Sequence, residues 1–152
     1  MAQNIKKIVA QEYLKCAKDP IYFMKKYCYI QHPTRGRILF NLYPFQEKVL
    51  EHFKDQQYLI TLKSRQLGIS TLSSAYSLWL MIFHKDKNVL ALATTQATAR
   101  NLVTKVIFMY DQLPKWLRLR SVEKNKLSLR LKNGSKIQAK SSNADAARSE
   151  AV

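Results

Sequence analysis

Residues 63–71 read Lys-Ser-Arg-Gln-Leu-Gly-Ile-Ser-Thr, which places two cations, three hydroxyls and one glycine within nine positions. That set can hold phosphate if a strand leads into it and a helix leads out. The start of a helix offers free backbone N–H groups and the positive end of its dipole to an anion. The usual phosphate-loop pattern is G-x-x-x-x-G-K-[ST]. Gly68 falls at the second glycine, Ser70 at the hydroxyl that ligates magnesium, and Thr71 adds a second hydroxyl toward phosphate. Ile69 stands where the lysine is expected, and Lys63 where the first glycine is expected. Ser64, Gln66, Leu67 and Ile69 complete the loop. The chemistry needs an ammonium near the β- and γ-phosphates rather than at a fixed chain position, so Lys63 can supply it by crossing the loop. Arg65 can reach the γ-phosphate, or a neighbouring subunit, and stabilise charge in the transition state. The plainer alternative makes Lys63 and Arg65 solvated surface cations and Gly68 a turn.

The elements that must position this loop are legible on both sides. Tyr58–Leu62 is a run of β-formers, expected as a short strand. Ser70–Phe83 is mostly apolar and expected as a helix. Asn88–Ala93 reads as a buried strand, and Thr94 or Thr95 caps a helix that Pro114 ends. Leu127, Leu129 and Leu131 alternate, Asn133-Gly134 signals a type I′ turn, and Ile137 and Ala139 continue on a return strand. Upstream, Asn4–Lys15 has helical spacing, and Asp19-Pro20 starts a second helix running to Tyr27. Residues 31–36 read as a loop and 37–42 as extended chain. Pro44 opens a helix with Phe45, Val49, Leu50 and Phe53 on one face. The sum is an α/β fold of P-loop NTPase type, with a mainly parallel sheet flanked by helices, incomplete, and an added β-hairpin. The division is an N-terminal helical segment, 1–36, and the N-terminal part of an ATPase domain, 37–152.

Composition narrows the function. The 152 residues carry 26 Lys+Arg against 10 Asp+Glu, a net charge of +16. The surplus is 10 basic against 5 acidic in residues 1–60, 6 against 1 in 61–110, and 10 against 4 in 111–152. No single arm holds it, so the folded body is positive and a polyanion, nucleic acid first, is the expected partner. Hydrophobic residues at 47% indicate a folded chain. The longest apolar stretch, near Ala75–Phe83, is far short of the ~20 residues of a membrane span. Cys16 and Cys28 stand alone and read as free thiols. Three scattered His complete no zinc ligand set.

Leu62–Thr71, with its Ser-Arg-Gln-Leu-Gly core, resembles the phosphate loop of the ATPase domain of phage large terminase subunits, the motors that package DNA into a procapsid. Some members of that family carry the lysine at the loop's start, as Lys63 does here. Leu42-Tyr43-Pro44-Phe45-Gln46 resembles the family's adenine-recognition motif. By that resemblance Phe45 stacks on adenine and Gln46 places its amide on the adenine edge. The alternative makes Phe45 a core residue and Gln46 a surface residue. Ser142–Arg148 is similar to the family's D-x-x-R-G segment, with Ser149 in place of the glycine. The resemblance covers about residues 20–152. It implies ATP and Mg2+ as cofactors, with Phe45, Gln46 and the loop residues 63–71 binding nucleotide. It further implies Ser70 on the metal and Lys63 and Arg65 in catalysis. Double-stranded DNA, the portal and the small terminase subunit are the implied partners, in a homo-oligomeric ring in the host-cell cytoplasm, with no membrane.

Hydrolysis in this family needs an apolar strand ending in Asp-Glu, to hold magnesium and orient water. Asp145 lies in a polar segment and Glu150 precedes no apolar run, so the chain reads as an N-terminal fragment that binds ATP without turning it over. Two rivals stand beside the packaging motor. One is a helicase-like nucleic-acid ATPase, which also places an aromatic-Gln motif before a phosphate loop. The other is a non-enzymatic basic module that binds nucleic acid and no nucleotide.

Overall fold

The computed structural model describes residues 2–142. Along the chain run α1 (Ala2–Lys18), α2 (Pro20–Tyr27), β1 (Tyr29–His32), β2 (Gly36–Leu39), α3 (Pro44–Asp55), α4 (Ile69–Phe83), β3 (Asn88–Ala93), α5 (Gln96–Gln112), β4 (Ser121–Lys124), β5 (Ser128–Leu131) and β6 (Lys136–Ser141). The helix starts follow local chemistry. Asp19 accepts the Ile21 N–H at 2.8 Å, with Pro20 in the first turn, and Thr95 accepts the Thr98 N–H at 3.2 Å. Helix α5 ends at Leu113, just before Pro114.

Helix α4 is the centre of the core. It buries Leu72, Ala75, Leu78, Trp79, Met81 and Ile82. The Ser74 hydroxyl donates to the Ser70 carbonyl at 2.8 Å and lies 3.3 Å from the Leu102 carbonyl, linking α4 to α5. Trp79 donates its indole N–H to the Cys16 carbonyl at 2.8 Å, which fastens α1. Helix α5 packs on α4 and lies on the sheet, where Leu129, Leu131, Ile137 and Ala139 are buried. Cys16 and Cys28 are buried free thiols. Burial pushes the Cys16 thiol up to about 11, so it stays protonated and unreactive. No helix among the described residues is long and apolar enough to cross a membrane.

The sheet corrects the expectation of mainly parallel strands. Its order is β3-β6-β5-β4, in which β3–β6 is parallel and β6–β5 and β5–β4 are antiparallel. The hairpin is therefore not an appendage: its return strand β6 is the parallel neighbour of β3, reached through α5. Residues 58–62 form no ladder, because no described strand lies beside them to pair. Ile60 is 97% and Leu62 100% exposed. β3 is buried on one face only, with Leu90 and Leu92 partly in solvent. Residues 29–39 form an antiparallel hairpin, β1–β2, where the sequence suggested a loop and a single extended run.

The Asn133-Gly134 turn differs in type. Gly134 has φ +86° but Asn133 is not left-handed, and Gly134 N–H donates to the Leu131 carbonyl at 3.1 Å while Leu131 N–H donates to the Ser135 carbonyl at 2.9 Å. This is a type I turn closed by a left-handed glycine. Asn133 is committed elsewhere: its side-chain amide donates to the carbonyls of Met81 at 2.8 Å and His84 at 3.0 Å, closing the C-terminal end of α4. Of the Asp-x-x-Arg-like segment, Ser142–Arg148, only Ser142 is described. Asp145, Arg148, Ser149, Glu150 and Val152 lie outside the described residues.

One oxygen of Glu12 ties α1 to α2, accepting from Lys26 Nζ at 2.6 Å and the hydroxyls of Tyr22 at 2.7 Å and Tyr27 at 2.8 Å. These partners lower the Glu12 carboxyl from 4.5 to about 2, the Lys26 hydrogen bond contributing most. A carboxyl held down in the folded state stabilises above its ordinary value and loses that contribution as pH falls through the lowered one. Thermal unfolding is expected to show Glu12→Gln less stable than the parent chain near neutral pH. The gap should close between about pH 4.5 and 2. A gap that stays constant over that range would show that the charge of Glu12 is not what docks the two helices.

Candidate functional site

The loop between α3 and α4 is fastened by a buried side chain. Gln46 is 2% exposed. Its Oε1 accepts the Tyr43 N–H at 3.0 Å, which closes the first turn of α3. Its Nε2 donates to the Leu67 carbonyl at 3.0 Å, 21 residues further on. Gln66 and Gly68 both have left-handed backbones, φ +63° and +71°. Gly68 caps α4 with no side-chain hydrogen bond, so the first-turn N–H groups have no side-chain acceptor. A Cβ at Gly68 would lie 2.8 Å from Gln46 Nε2. Gly68 is thus required twice, by its φ and by the approach of Gln46.

Around this junction lies a cavity of about 730 Å³. One wall is the α3 start, with Tyr43, Phe45 and Gln46. The floor is Gln66, Leu67, Gly68 and Thr71. The far wall is the β1–β2 hairpin, including Gln31, His32 and Arg35. The hairpin turn is set by His32, whose Nδ1 accepts the N–H groups of Thr34 and Arg35, each at 3.2 Å. Arg37 holds the hairpin to α5 through Gln112 Oε1 at 2.6 Å. The cavity size suits a small organic ligand.

Of the residues expected from sequence, Phe45, Gln46, Gln66, Leu67, Gly68 and Thr71 come together here. Phe45 is 39% exposed and stacks on Tyr43, with ring centroids 5.8 Å apart and planes 7° from parallel. It is therefore not the core residue its helical spacing suggested, whereas Gln46 is buried. Lys63, Ser64, Arg65, Ile69 and Ser70 do not line the cavity. The Lys63 ammonium donates to the Ser64 carbonyl at 3.2 Å. Ile69 packs against the core, so the position of the expected lysine is used for packing. Ser70 is exposed at the start of α4. No carboxylate lines the cavity, and no cluster of three metal-ligating side chains occurs among the described residues.

Sequence reasoning missed three contributors. Tyr43 stands within the Leu42–Gln46 motif, two residues before Phe45, but the motif alone gives it no role of its own. The hairpin was signalled by Pro33 to Gly36 between two apolar pairs, Tyr29-Ile30 and Ile38-Leu39. Lys105 had no local signal. Its Nζ reaches Thr71 Oγ1 at 3.1 Å from 34 residues away.

No protein-family model matches the sequence. The fold is nonetheless terminase-like, an α/β arrangement shared with a phage large terminase subunit. The solved structure in question is the crystal structure of the HK97 bacteriophage large terminase, with a TM-score of 0.64 over 82% of this chain and 18% identity. This chain spans 27% of that chain.

The double requirement at Gly68 is directly testable. Gly68→Ala is expected to destabilise the chain by about 1–3 kcal/mol in denaturant unfolding, through the left-handed backbone and the displaced Gln46 amide. Unchanged stability would mean that the loop relaxes freely and is not clamped by Gln46.

Proposed function

We propose that this chain is the nucleotide-binding part of a DNA-packaging motor of the large-terminase type, taking ATP in the cavity between α3, the 63–71 loop and the β1–β2 hairpin. The observation that carries the reading is the convergence of Phe45, Gln46, Gly68 and Thr71 on one cavity within a terminase-like fold. The Phe45–Tyr43 pair offers a flat aromatic surface for adenine. Gln46 keeps one N–H and one lone pair beyond those it uses on Leu67 and Tyr43, enough for an adenine edge. The uncapped first turn of α4 faces phosphate, with the Thr71 hydroxyl beside it. Lys63 would have to leave the Ser64 carbonyl to reach the outer phosphates, Ser70 would hold magnesium, and Arg65 would act on the transferred phosphoryl group, all three moving in from outside the cavity lining. Magnesium supplies charge neutralisation on the phosphates when bound. The carboxylates that would hold it and orient water are not among the described lining residues.

The net charge of +16 supports double-stranded DNA as the translocated polymer. The portal, the small terminase subunit and further copies in a ring are the partners that this reading assigns to the motor, working in the host-cell cytoplasm. The same charge favours a second reading, a basic nucleic-acid-binding module without a nucleotide.

Titration of the 152-residue chain with a fluorescent ATP analogue, and separately with duplex DNA over a salt series, distinguishes the two. The motor reading predicts saturable ATP binding that Lys63→Ala weakens about tenfold or more, with DNA binding nearly unchanged. Steeply salt-dependent DNA binding without ATP binding would select the basic module instead.

A further inference from the structure

We propose that Lys105 of α5 is a ligand for the phosphates of the nucleotide held beside Thr71, supplying from a neighbouring helix an ammonium that the Ile69 position of the loop lacks. This rests on the nucleotide reading above and adds to it a residue from outside the loop. Thr71 lies in the first turn of α4 and lines the 730 Å³ cavity. It also lines a second cavity, of about 270 Å³, whose walls include Gln31, Thr104, Lys105 and Phe108. The two cavities share Ile30, Gln31 and Thr71 as lining residues, so they are neighbours on either side of the start of α4. Lys105 lines the smaller cavity and reaches toward the larger one through Thr71, its Nζ donating to Thr71 Oγ1 at 3.1 Å.

Its position is fixed by the packing of α4 on α5. Ser74 lies 3.3 Å by its hydroxyl from the carbonyl of Leu102, one turn before Lys105. The ammonium therefore approaches the first turn of α4 from a rigid element. Desolvation lowers the Lys105 pKa below its ordinary value, and no ion pair joins it to a carboxylate among the described residues. An ammonium left without a counterion is stabilised by an arriving anion. A phosphate oxygen bound to the Thr71 N–H or hydroxyl lies within the reach of Nζ. Lys63 lines neither cavity and must first leave the Ser64 carbonyl to reach phosphate, whereas Lys105 already stands beside Thr71.

Two measurements on the 152-residue chain test this. In a fluorescent-ATP titration, Lys105→Met is expected to bind about tenfold or more weakly, and Lys105→Arg to recover most of the loss. In the unmodified chain, ATP is expected to slow acetylation of Lys105 by an N-hydroxysuccinimide ester several-fold, as mapped by mass spectrometry, while adenosine is expected to leave it unchanged. ATP binding with Lys105→Met equal to the parent, or with Lys105 acetylated at the same rate, overturns this inference and leaves the nucleotide site standing. Protection by adenosine as well as ATP also overturns it, because the contact would then not be to phosphate. Absence of ATP binding by the parent chain overturns both readings. Should Lys105→Met fail to fold, the acetylation rates decide alone.

Discussion

The site depends on one buried amide. Gln46 closes the first turn of α3 with its oxygen and holds the Leu67 carbonyl with its nitrogen. Without those two bonds, nothing described here would set the 63–68 segment against the start of α3, since residues 56–67 are exposed and make no ladder. A side chain at position 68 would have to displace the same amide, so the clamp favours glycine at the start of α4. Leaving a buried carboxamide unpaired costs about 1–3 kcal/mol, so the clamp and the loop conformation support each other. The Tyr43–Gln46 segment and the Gln66–Gly68 segment, separated by some twenty residues in sequence, thereby line one cavity.

Around that clamp the fold is built for rigidity. Helix α4 is held at its start by the Gly68 junction, along its length by Ser74 and Trp79, and at its end by Asn133 reaching across from the β5–β6 turn. Helix α5 lies between α4 and the sheet, so any ligand contact at Thr71 is one step from Lys105 and two from the sheet. Glu12, Glu47 and Asp111 are each paired with a lysine, and the 26 Lys+Arg so outnumber the 10 Asp+Glu that the body stays positive toward a polyanion.

Much of this was readable from the residues. Asp19-Pro20, Thr95 and Pro114 mark helix ends because capping and proline chemistry act within a few residues, and the structure places all three as expected. The alternation of Leu129, Leu131, Ile137 and Ala139 marks the buried face of the hairpin, whereas Leu127, expected on the same face, is 36% exposed ahead of β5. What failed were features decided by distant neighbours. Tyr58–Leu62 has strand composition but no described partner, and composition cannot supply one. The parallel pairing of β6 with β3 depends on α5 packing, not on either strand's own pattern. The type I′ expectation failed because Asn133 is drawn into capping α4, 49 and 52 residues away. Within the site, Gly68 and Gln46 stood out by motif, but only the fold shows that they touch. Lys105 belongs to no local pattern, and its reach to Thr71 exists only once α4 and α5 are packed.

The central claim is that the left-handed Gly68 junction presents the first turn of α4 to a nucleotide. Backbone amide shifts of the isotopically labelled chain, followed by NMR during titration with ATP, test it most directly. Binding at this junction predicts that the largest shifts fall on Leu67 to Thr71 and on the Gln46 side-chain amide, saturating with a single dissociation constant. Shifts confined to exposed lysine- and arginine-rich surfaces, or no saturating change in the 67–71 amides, would contradict it.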